Sequence, residues 1–338
     1  MGNPWDYDFS AVGARKSPLL LVHGTDADPV AIASGFRASG GSDIYKLLPE
    51  GFAFDQVNLS RQFLKRPPPK PALYDCVLNL VTDPDQNPKT LEKVRKLLKG
   101  YKGRIVNRPE VVLRTTRDQV ARRLAGIDGL HVPKVVRLHN PKLGAASTAV
   151  AKAGLAYPII ARMAGTHTGR IIDLVETPEQ LDAACQGTGD FLLIEFVDFR
   201  SADGLYRKYR FWSFGGRTIL RHAITSDNWN VHVSQRTRFM LPRSELIAEE
   251  ERLMEQTEGA FPPNVHAAFE AVEERMGLEF FGMDFAIGDD GRVILFEANA
   301  TMSFFPLVPH PRFAYLERIL QPARGAVAAM AGLQERIP

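Results

Sequence analysis

The segments FFGMDFAIG (280–288), DDGR (289–292) and VILFEANA (293–300) decide the fold of this chain. Two apolar runs joined by a turn that contains Asp-Gly are typical of a β-hairpin. Asp284 lies on the first strand, and Glu297 and Asn299 lie on the second. Because side chains alternate between the two faces of a strand, Glu297 and Asn299 share one face, and antiparallel pairing can bring Asp284 opposite them.

Three oxygen-bearing side chains on one face of an apolar hairpin favour a metal site. Carboxylate and amide oxygens are ligands for hard cations such as Mg²⁺, with the remaining positions left to water and phosphate oxygens. The alternative is that Asp284 and Glu297 are polar residues on a solvated strand face. The apolar neighbours Phe285 and Leu295 weigh against that alternative, but the pattern leaves both interpretations open.

The N-terminal third has the pattern of a parallel α/β lobe. Apolar runs at 18–23 and 74–81 predict buried strands, and a helical pattern at 89–100 precedes a third strand at Arg104–Val106. Strand, helix and strand in this order imply a parallel sheet over roughly 15–108. Beyond it, the sequence predicts a capped helix over 115–125, a mixed region with several strands to about 232, and helices over 243–258 and 264–277 before the hairpin.

Composition limits the classes of partner. The 338 residues are 45% hydrophobic and 24% charged, which is typical of a globular protein of two or three lobes. The net charge is +3 and the basic residues are spread along the chain, so we expect anionic small molecules rather than nucleic acid. We also expect no membrane partner, because no run of 18 apolar residues occurs. Two isolated cysteines, Cys76 and Cys185, favour a reducing compartment, so we expect a cytoplasmic protein.

The hairpin and the order of the upstream segments resemble the ATP-grasp superfamily, specifically its glutathione-synthetase-like and RimK-like carboxylate–amine ligases. The resemblance covers nearly the whole chain, including an N-terminal lobe that ends in NRP (107–109). It implies an α/β fold with an α+β grasp core. The expected parts are an N-terminal parallel α/β lobe (1–108), a small ATP-grasp lobe (109–190) and a C-terminal ATP-grasp lobe (191–338). In that family, residues that match Asp284, Glu297 and Asn299 hold the metal ions that bridge the ATP phosphates.

The same resemblance implies a set of nucleotide contacts. In YPIIARMAGTHTGR (157–170), Arg162 stands where the family has a lysine that contacts the α- and β-phosphates, and arginine keeps the charge and can bind phosphate bidentately. The following glycine-rich loop is expected to close over the phosphates. Further expected contacts are a basic residue before the helix at 115–125, either Arg114 or Arg117, and the hinge in FLLIEFVDF (191–199). The implied nucleotide-binding residues are Arg114, Arg162, Gly165, Thr166, Thr168, Gly169, Glu195, Phe196, Val197 and Asp198.

Residues with an implied catalytic role lie in two segments. In RKYRFWSFGGR (207–217), Arg210 matches an arginine that approaches the phosphates or the acyl phosphate, whereas Lys208 stands where an aspartate is usual. In the segment RHAITSDNWNVH that begins at Arg221, the substrate-facing candidates include Arg221 and Asn230. A polar strand and its turn would explain this second segment equally well.

The resemblance implies ATP and Mg²⁺ as cofactors, with a small-molecule acid and an amine as substrates. The expected reaction activates a carboxylate as an acyl phosphate and joins it to the amine. Two alternatives stay open: a small-molecule kinase on the same fold, and a nucleotide-binding module that has lost catalysis. The sequence also leaves open whether the protein is a homodimer.

Overall fold

The computed structural model describes residues 18–27, 30–32, 35–37, 39–49, 52–61, 67–165, 171–256 and 261–333. Within these ranges the chain forms two sheets of four strands, one sheet of five strands and a small two-stranded ribbon. The expected mixed α/β architecture is confirmed. No helix in the described ranges has both the length and the apolar character needed to cross a bilayer.

The first sheet is parallel, with the strand order β4-β1-β5-β6. Its strands are β1 (Leu19–His23), β4 (Asp55–Asn58), β5 (Cys76–Asn79) and β6 (Arg104–Val106). All five residues of β1 are buried, which explains its unbroken apolar run, because a central parallel strand is covered on both faces. The helix α1 (Pro88–Leu97) buries Leu91 and Val94, as its spacing predicts.

Short elements surround this sheet. The strands β2 (Val30–Ile32) and β3 (Gly35–Arg37) pair antiparallel. Two 3₁₀ helices span Ile44–Leu47 and Pro71–Leu73. The helices α2 (Pro109–Val112) and α3 (Arg117–Leu124) then lead out of the lobe.

The second sheet is antiparallel, with the order β10-β9-β11-β8. Its elements are β8 (Val135–His139), α4 (Ala145–Ala153), β9 (Ile159–Met163), β10 (Ile171–Val175), α5 (Pro178–Ala184) and β11 (Asp190–Glu195). Ile159 and Ala161 of β9 pack with α4 and α5 in one core, so the intervening residues 160 and 162 face the other side. Because β11 pairs with β8 and β9, the second sheet extends past the predicted lobe boundary at 190.

The third sheet has the order β13-β12-β14-β15-β7, with only β7 parallel to its neighbour. Its strands are β7 (Leu130–His131), β12 (Tyr206–Phe214), β13 (Arg217–Ser226), β14 (Phe280–Ile287) and β15 (Val293–Asn299). The helices that follow β13 and β15 are a π-helix (Arg236–Met240), α6 (Ser244–Glu255), α7 (Pro263–Met276), a 3₁₀ segment (Pro311–Ile319) and α8 (Leu320–Met330).

One face of the third sheet carries an aromatic core, and charged residues lie at the centre of the opposite face. Phe269 of α7 packs with its ring centroid 4.8 Å from both Phe211 of β12 and Phe285 of β14. Arg210 and Asp284 precede these phenylalanines in the chain, so they lie on the opposite face. The aromatic core therefore holds β12 and β14 in place, so that Arg210 and Asp284 project from the opposite face.

Asn107 joins the first sheet to the third. Its Nδ2 donates to the carbonyl oxygen of Phe280 at 2.8 Å, and its Oδ1 accepts from the backbone nitrogens of Glu279 and Phe280 at 2.9 and 3.1 Å. Asn107 is fully buried and has a φ of 55°, a left-handed conformation that asparagine tolerates better than most residues. The NRP segment thus acts as a structural joint.

Replacing Asn107 with Ala should reduce the free energy of unfolding by about 2–4 kcal/mol, because buried groups of β14 lose their partners. Asn140 is the matched control, since it is exposed and also left-handed, with a φ of 45°. Asn140→Ala should cost less than half as much. Denaturant unfolding of both variants measures the difference, and equal losses would show that Asn107 contributes only its backbone conformation.

Candidate functional site

A row of charged side chains crosses the centre of the third sheet. Arg210 of β12 pairs in register with Asp284 of β14, and Asp284 pairs with Glu297 of β15. The alternation therefore places Asp284 opposite Glu297, with Asn299 on the same face, as the sequence predicts. On the other side of Arg210, His222 of β13 continues the row.

Asp284 is buried and held by two cations. Arg210 binds it bidentately, with Nε to Oδ1 at 2.5 Å and Nη2 to Oδ2 at 2.9 Å. The Nζ of Lys208 lies 3.4 Å from the same Oδ2. Although burial opposes ionisation, Arg210 and Lys208 hold the pKa of Asp284 well below its usual range, so the carboxyl group is a carboxylate at neutral pH.

Glu297 and Asn299 lie at the edge of the row. The Oε1 of Glu297 forms an ion pair with Nη2 of Arg117 at 2.6 Å. Arg117 also donates from Nη1 to the carbonyl oxygen of Phe296 at 2.8 Å. The Oδ1 of Asn299 accepts from the backbone nitrogens of Thr301 and Met302, each at 2.9 Å. Asn299 therefore uses its oxygen to fix the turn after β15.

A cavity lies beside this row, between the second and third sheets. The third sheet contributes the segment from Leu295 to Asn299, including Glu297, and the second sheet contributes Val135, Arg162, Leu192 and Ile194. Arg117 of α3 and the N-terminal residues Asp83 and Asp85 complete its wall. The cavity thus has an apolar wall on β11 and a charged end where Arg162, Arg117 and Glu297 meet.

Arg162 brings positive charge to the cavity from the second sheet. Burial, together with repulsion from Arg117, lowers the pKa of Arg162 to about 10. Arg162 therefore remains protonated at neutral pH. A site with two arginines, one glutamate and an adjoining apolar wall can hold an anion that carries a flat, apolar group.

Arg137 links the walls of the cavity to one another. On β8, Arg137 binds Asp118 of α3 and Asp190 of β11, both at 2.8 Å, and Asp85 of the N-terminal lobe at 3.0 Å. In addition, Gln86 donates from Nε2 to the carbonyl oxygen of Gly165. These contacts tie the second sheet to α3 and to the N-terminal lobe.

A buried ion pair supports β13 beside the row. Glu250 of α6 pairs with Arg236, accepts from the backbone nitrogen of Ala223 at 2.8 Å and accepts from the hydroxyl of Tyr315 at 2.6 Å. Neither Arg236 nor Glu250 is more than 1% exposed. This pair could not be predicted from the sequence, because an arginine in a π-helix and a glutamate on a charged helix carry no local signal of burial.

The predicted catalytic residues fall in different places. Arg210 lies in the charged row. Arg221 is buried and donates from Nε to the carbonyl oxygen of Phe304 at 2.8 Å and from Nη2 to that of Pro306 at 3.1 Å, so it supports the chain after β15. Burial and the neighbouring arginines lower its pKa to about 9. Asn230 is exposed in a turn, where its backbone nitrogen donates to Oδ1 of Asn228 at 2.9 Å.

Two of the predicted phosphate contacts, Arg162 and Gly165, line the cavity. Of the two candidate arginines near α3, Arg117 lines it, whereas the exposed Arg114 does not and donates from Nε to the carbonyl oxygen of Glu110 at 3.1 Å. The remaining loop residues Thr166, Thr168 and Gly169 lie outside the described residues.

The predicted hinge lies just beyond the cavity wall formed by Leu192 and Ile194. Glu195 accepts from the backbone nitrogen of Lys134 at 2.8 Å, and Asp198 accepts from that of Arg200 at 3.0 Å. The ring of Phe196 packs edge-on against Trp229, with centroids 5.4 Å apart, and Val197 packs against the core beneath the third sheet. Their backbone roles stay predictions.

These residues allow a test of whether a magnesium ion fits the site. Glu297 lines the cavity, and Mg²⁺ is commonly bound by one or two carboxylates together with substrate phosphates. Glu297 therefore fits as a ligand. Asp284 fits less well, because both of its oxygens contact cationic side chains. Within the described ranges, no three His, Cys, Asp or Glu side chains are grouped to hold a metal.

Comparison of the sequence with models of protein families finds no match, and comparison with curated proteins finds none either. Solved structures do match. VanG D-Ala:D-Ser ligase from Enterococcus faecalis aligns with a TM-score of 0.54 at 12% identity, over 93% of this chain and 98% of that one. The macrocyclase MdnC from Microcystis aeruginosa, bound with precursor peptide MdnA, aligns with a TM-score of 0.51 at 14% identity, over 94% and 99% of the two chains.

A RimK domain ATP-grasp protein from Sphaerobacter thermophilus aligns with a TM-score of 0.50 at 16% identity, over 93% of this chain and 99% of that one. This chain has the ATP-grasp fold. The resemblance drawn from the terminal hairpin is confirmed at the level of the fold. The cavity lies between the second and third sheets of this fold.

Arg162 and Arg114 together form a matched test of the cavity. Arg162→Ala should raise the dissociation constant for ATP about 10- to 150-fold, since a hydrogen bond to a charged group contributes about 1.5–3 kcal/mol. Arg162→Lys should retain part of the affinity, and Arg114→Ala should change it less than about twofold because Arg114 lies outside the cavity. Calorimetric titration measures all three affinities, and an affinity unchanged by Arg162→Ala would exclude Arg162 as a contact for ATP.

Proposed function

We propose that the protein is an ATP-dependent ligase that activates a carboxylate as an acyl phosphate and joins it to an amine. The observation that carries this proposal is the end of the inter-sheet cavity where Arg162, Arg117 and Glu297 meet, next to the row through Arg210 and Asp284. Phosphoryl transfer depends mainly on alignment and charge neutralisation, and this cluster supplies fixed charges of both signs.

ATP binds in the cavity with its adenine against the apolar wall of Leu192 and Ile194 and its phosphates toward Arg162. Mg²⁺, held by Glu297 and ATP oxygens, would supply further neutralisation of the phosphate charge. Arg117 holds the Glu297 carboxylate in place through the 2.6 Å ion pair. Asp83 and Asp85 lie at the other wall, where Asp85 is paired with Arg137.

The reaction has two steps. An oxygen of the substrate carboxylate attacks the γ-phosphorus, the bond to the β–γ bridging oxygen breaks, and ADP leaves with that electron pair. The nitrogen of the amine then attacks the acyl carbon, loses a proton, and inorganic phosphate leaves. Arg210 in the row and Lys208 next to it contribute positive charge. The acyl phosphate forms beside these two side chains.

The substrate class of this proposal is an amino acid or a peptide-like acid with an amine. Two of the structures with the same fold are named as a D-Ala:D-Ser ligase and as a macrocyclase bound with a precursor peptide, and both names concern amino acids or peptides. The segment after β15, held by Arg221 and by Asp43 of the N-terminal lobe, borders the same face and is the proposed substrate wall.

Hydroxylamine trapping tests the reaction type. A pool of amino and carboxylic acids is first screened with MgATP for release of ADP. The active acid, supplied with MgATP and hydroxylamine but without the natural amine, should then yield a hydroxamate, because hydroxylamine intercepts an acyl phosphate. Mass spectrometry of the hydroxamate is the measurement.

Two variants control this assay. Glu297→Gln should abolish the hydroxamate, since a neutral amide cannot balance the charge of the metal–nucleotide complex. Glu274→Gln, on the exposed side of α7, should leave it unchanged. Steady ADP release with a stable phosphorylated product and no hydroxamate would overturn the ligase proposal in favour of a kinase.

A further inference from the structure

Asp284 contacts two cationic side chains, although one would neutralise its carboxylate. The bidentate pair with Arg210 already neutralises the carboxylate. Lys208 adds a second cation, with its Nζ 3.4 Å from Oδ2. The two cations and one carboxylate leave a net charge of one positive unit at a place where the side chain of Asp284 is 7% exposed.

The geometry of the row leaves Asp284 little capacity as a metal ligand. Arg210 contacts Oδ1, and Arg210 and Lys208 both contact Oδ2. A divalent cation at Oδ2 would have to displace one of these contacts, and a cation at either oxygen would lie beside two positive side chains. Glu297 differs, because it lines the cavity and has 26% of its side chain exposed.

Lys208 supplies the second of these two cations. Lys208 lies on the same face of β12 as Arg210, two residues apart, so the added charge is on the side of Asp284.

We propose that the ammonium group of Lys208 takes the place of a divalent cation at Asp284. The nucleotide is then held with a single magnesium ion, on Glu297, and Lys208 and Arg210 supply the remaining positive charge to the phosphates. This inference rests on the proposed function, because it assigns the charges that serve bound ATP. It makes Lys208 a determinant of metal stoichiometry and removes Asp284 from the metal ligands.

The test is a count of bound Mn²⁺ by electron paramagnetic resonance, with the full chain saturated by one equivalent of the non-hydrolysable ATP analogue AMPPNP. The natural chain should bind one Mn²⁺ per chain. Lys208→Asp should bind two, because a second carboxylate then adjoins Asp284 and the surplus positive charge is gone. Lys102→Asp, an exposed substitution with the same change in charge, should still bind one.

A second variant separates the effect of charge from any loss of folding. Lys208→Met removes the charge but keeps an unbranched side chain one atom shorter, and it should weaken AMPPNP binding in the presence of a metal chelator by roughly ten- to a hundredfold. Lys102→Met should leave that affinity unchanged.

The outcomes distinguish this inference from the proposed function. Two Mn²⁺ bound by the natural chain, one bound by a folded Lys208→Asp variant, or an affinity unaffected by Lys208→Met would overturn the role of Lys208 while leaving the nucleotide site intact. Failure of the natural chain to bind AMPPNP, with or without Mn²⁺, would overturn the proposed function itself.

Discussion

The buried ion pair between Arg210 and Asp284 is the interaction on which the site depends. Asp284 is only 5% exposed on a central strand, and a carboxylate in that position is tolerated only with a close and well-formed partner. The pair spans β12 and β14 in register, so the partner comes from the neighbouring strand. The rest of the row follows from the same register, since Glu297 faces Asp284 on β15.

An aromatic core on one face of the third sheet supports the charged row at the centre of the other face. Phe211, Phe285 and Phe269 form an aromatic core on one face, which fixes the strands that carry the charges. The opposite face opens toward the second sheet, where β9 repeats the division with Ile159 and Ala161 in a core and Arg162 at the cavity. Two amphipathic sheets facing each other thus produce a cleft that is apolar along one wall and charged at one end.

Much of this arrangement could be predicted from local pattern. The hairpin, its register and the shared face of Glu297 and Asn299 follow from the alternation of side chains and from the Asp-Gly turn, and the parallel lobe follows from buried apolar runs such as that of β1. The strand β4 was not predicted, because the sequence DQVN has neither an apolar run nor alternation.

The rest depends on contacts between distant parts of the chain. Arg117 lines the cavity and Arg114 does not, a difference set by how α3 packs beside β15. The engagement of Asn299 with the turn after β15, and the three carboxylates around Arg137, likewise leave no local trace in the sequence. The alternation of side chains along a strand indicates which face of the sheet a residue occupies. The packing of distant parts of the chain determines which side chain it contacts.

We propose that the cleft between the two sheets binds the triphosphate of ATP at the end formed by Arg162, Arg117 and Glu297. A crystal structure of the full chain with AMPPNP and Mg²⁺ is the most direct test of this binding mode. We expect phosphate oxygens in contact with Arg162, a magnesium ion on Glu297, and the adenine ring against Leu192 and Ile194. A nucleotide bound elsewhere, for example at the ends of the parallel strands of the N-terminal lobe, would contradict it.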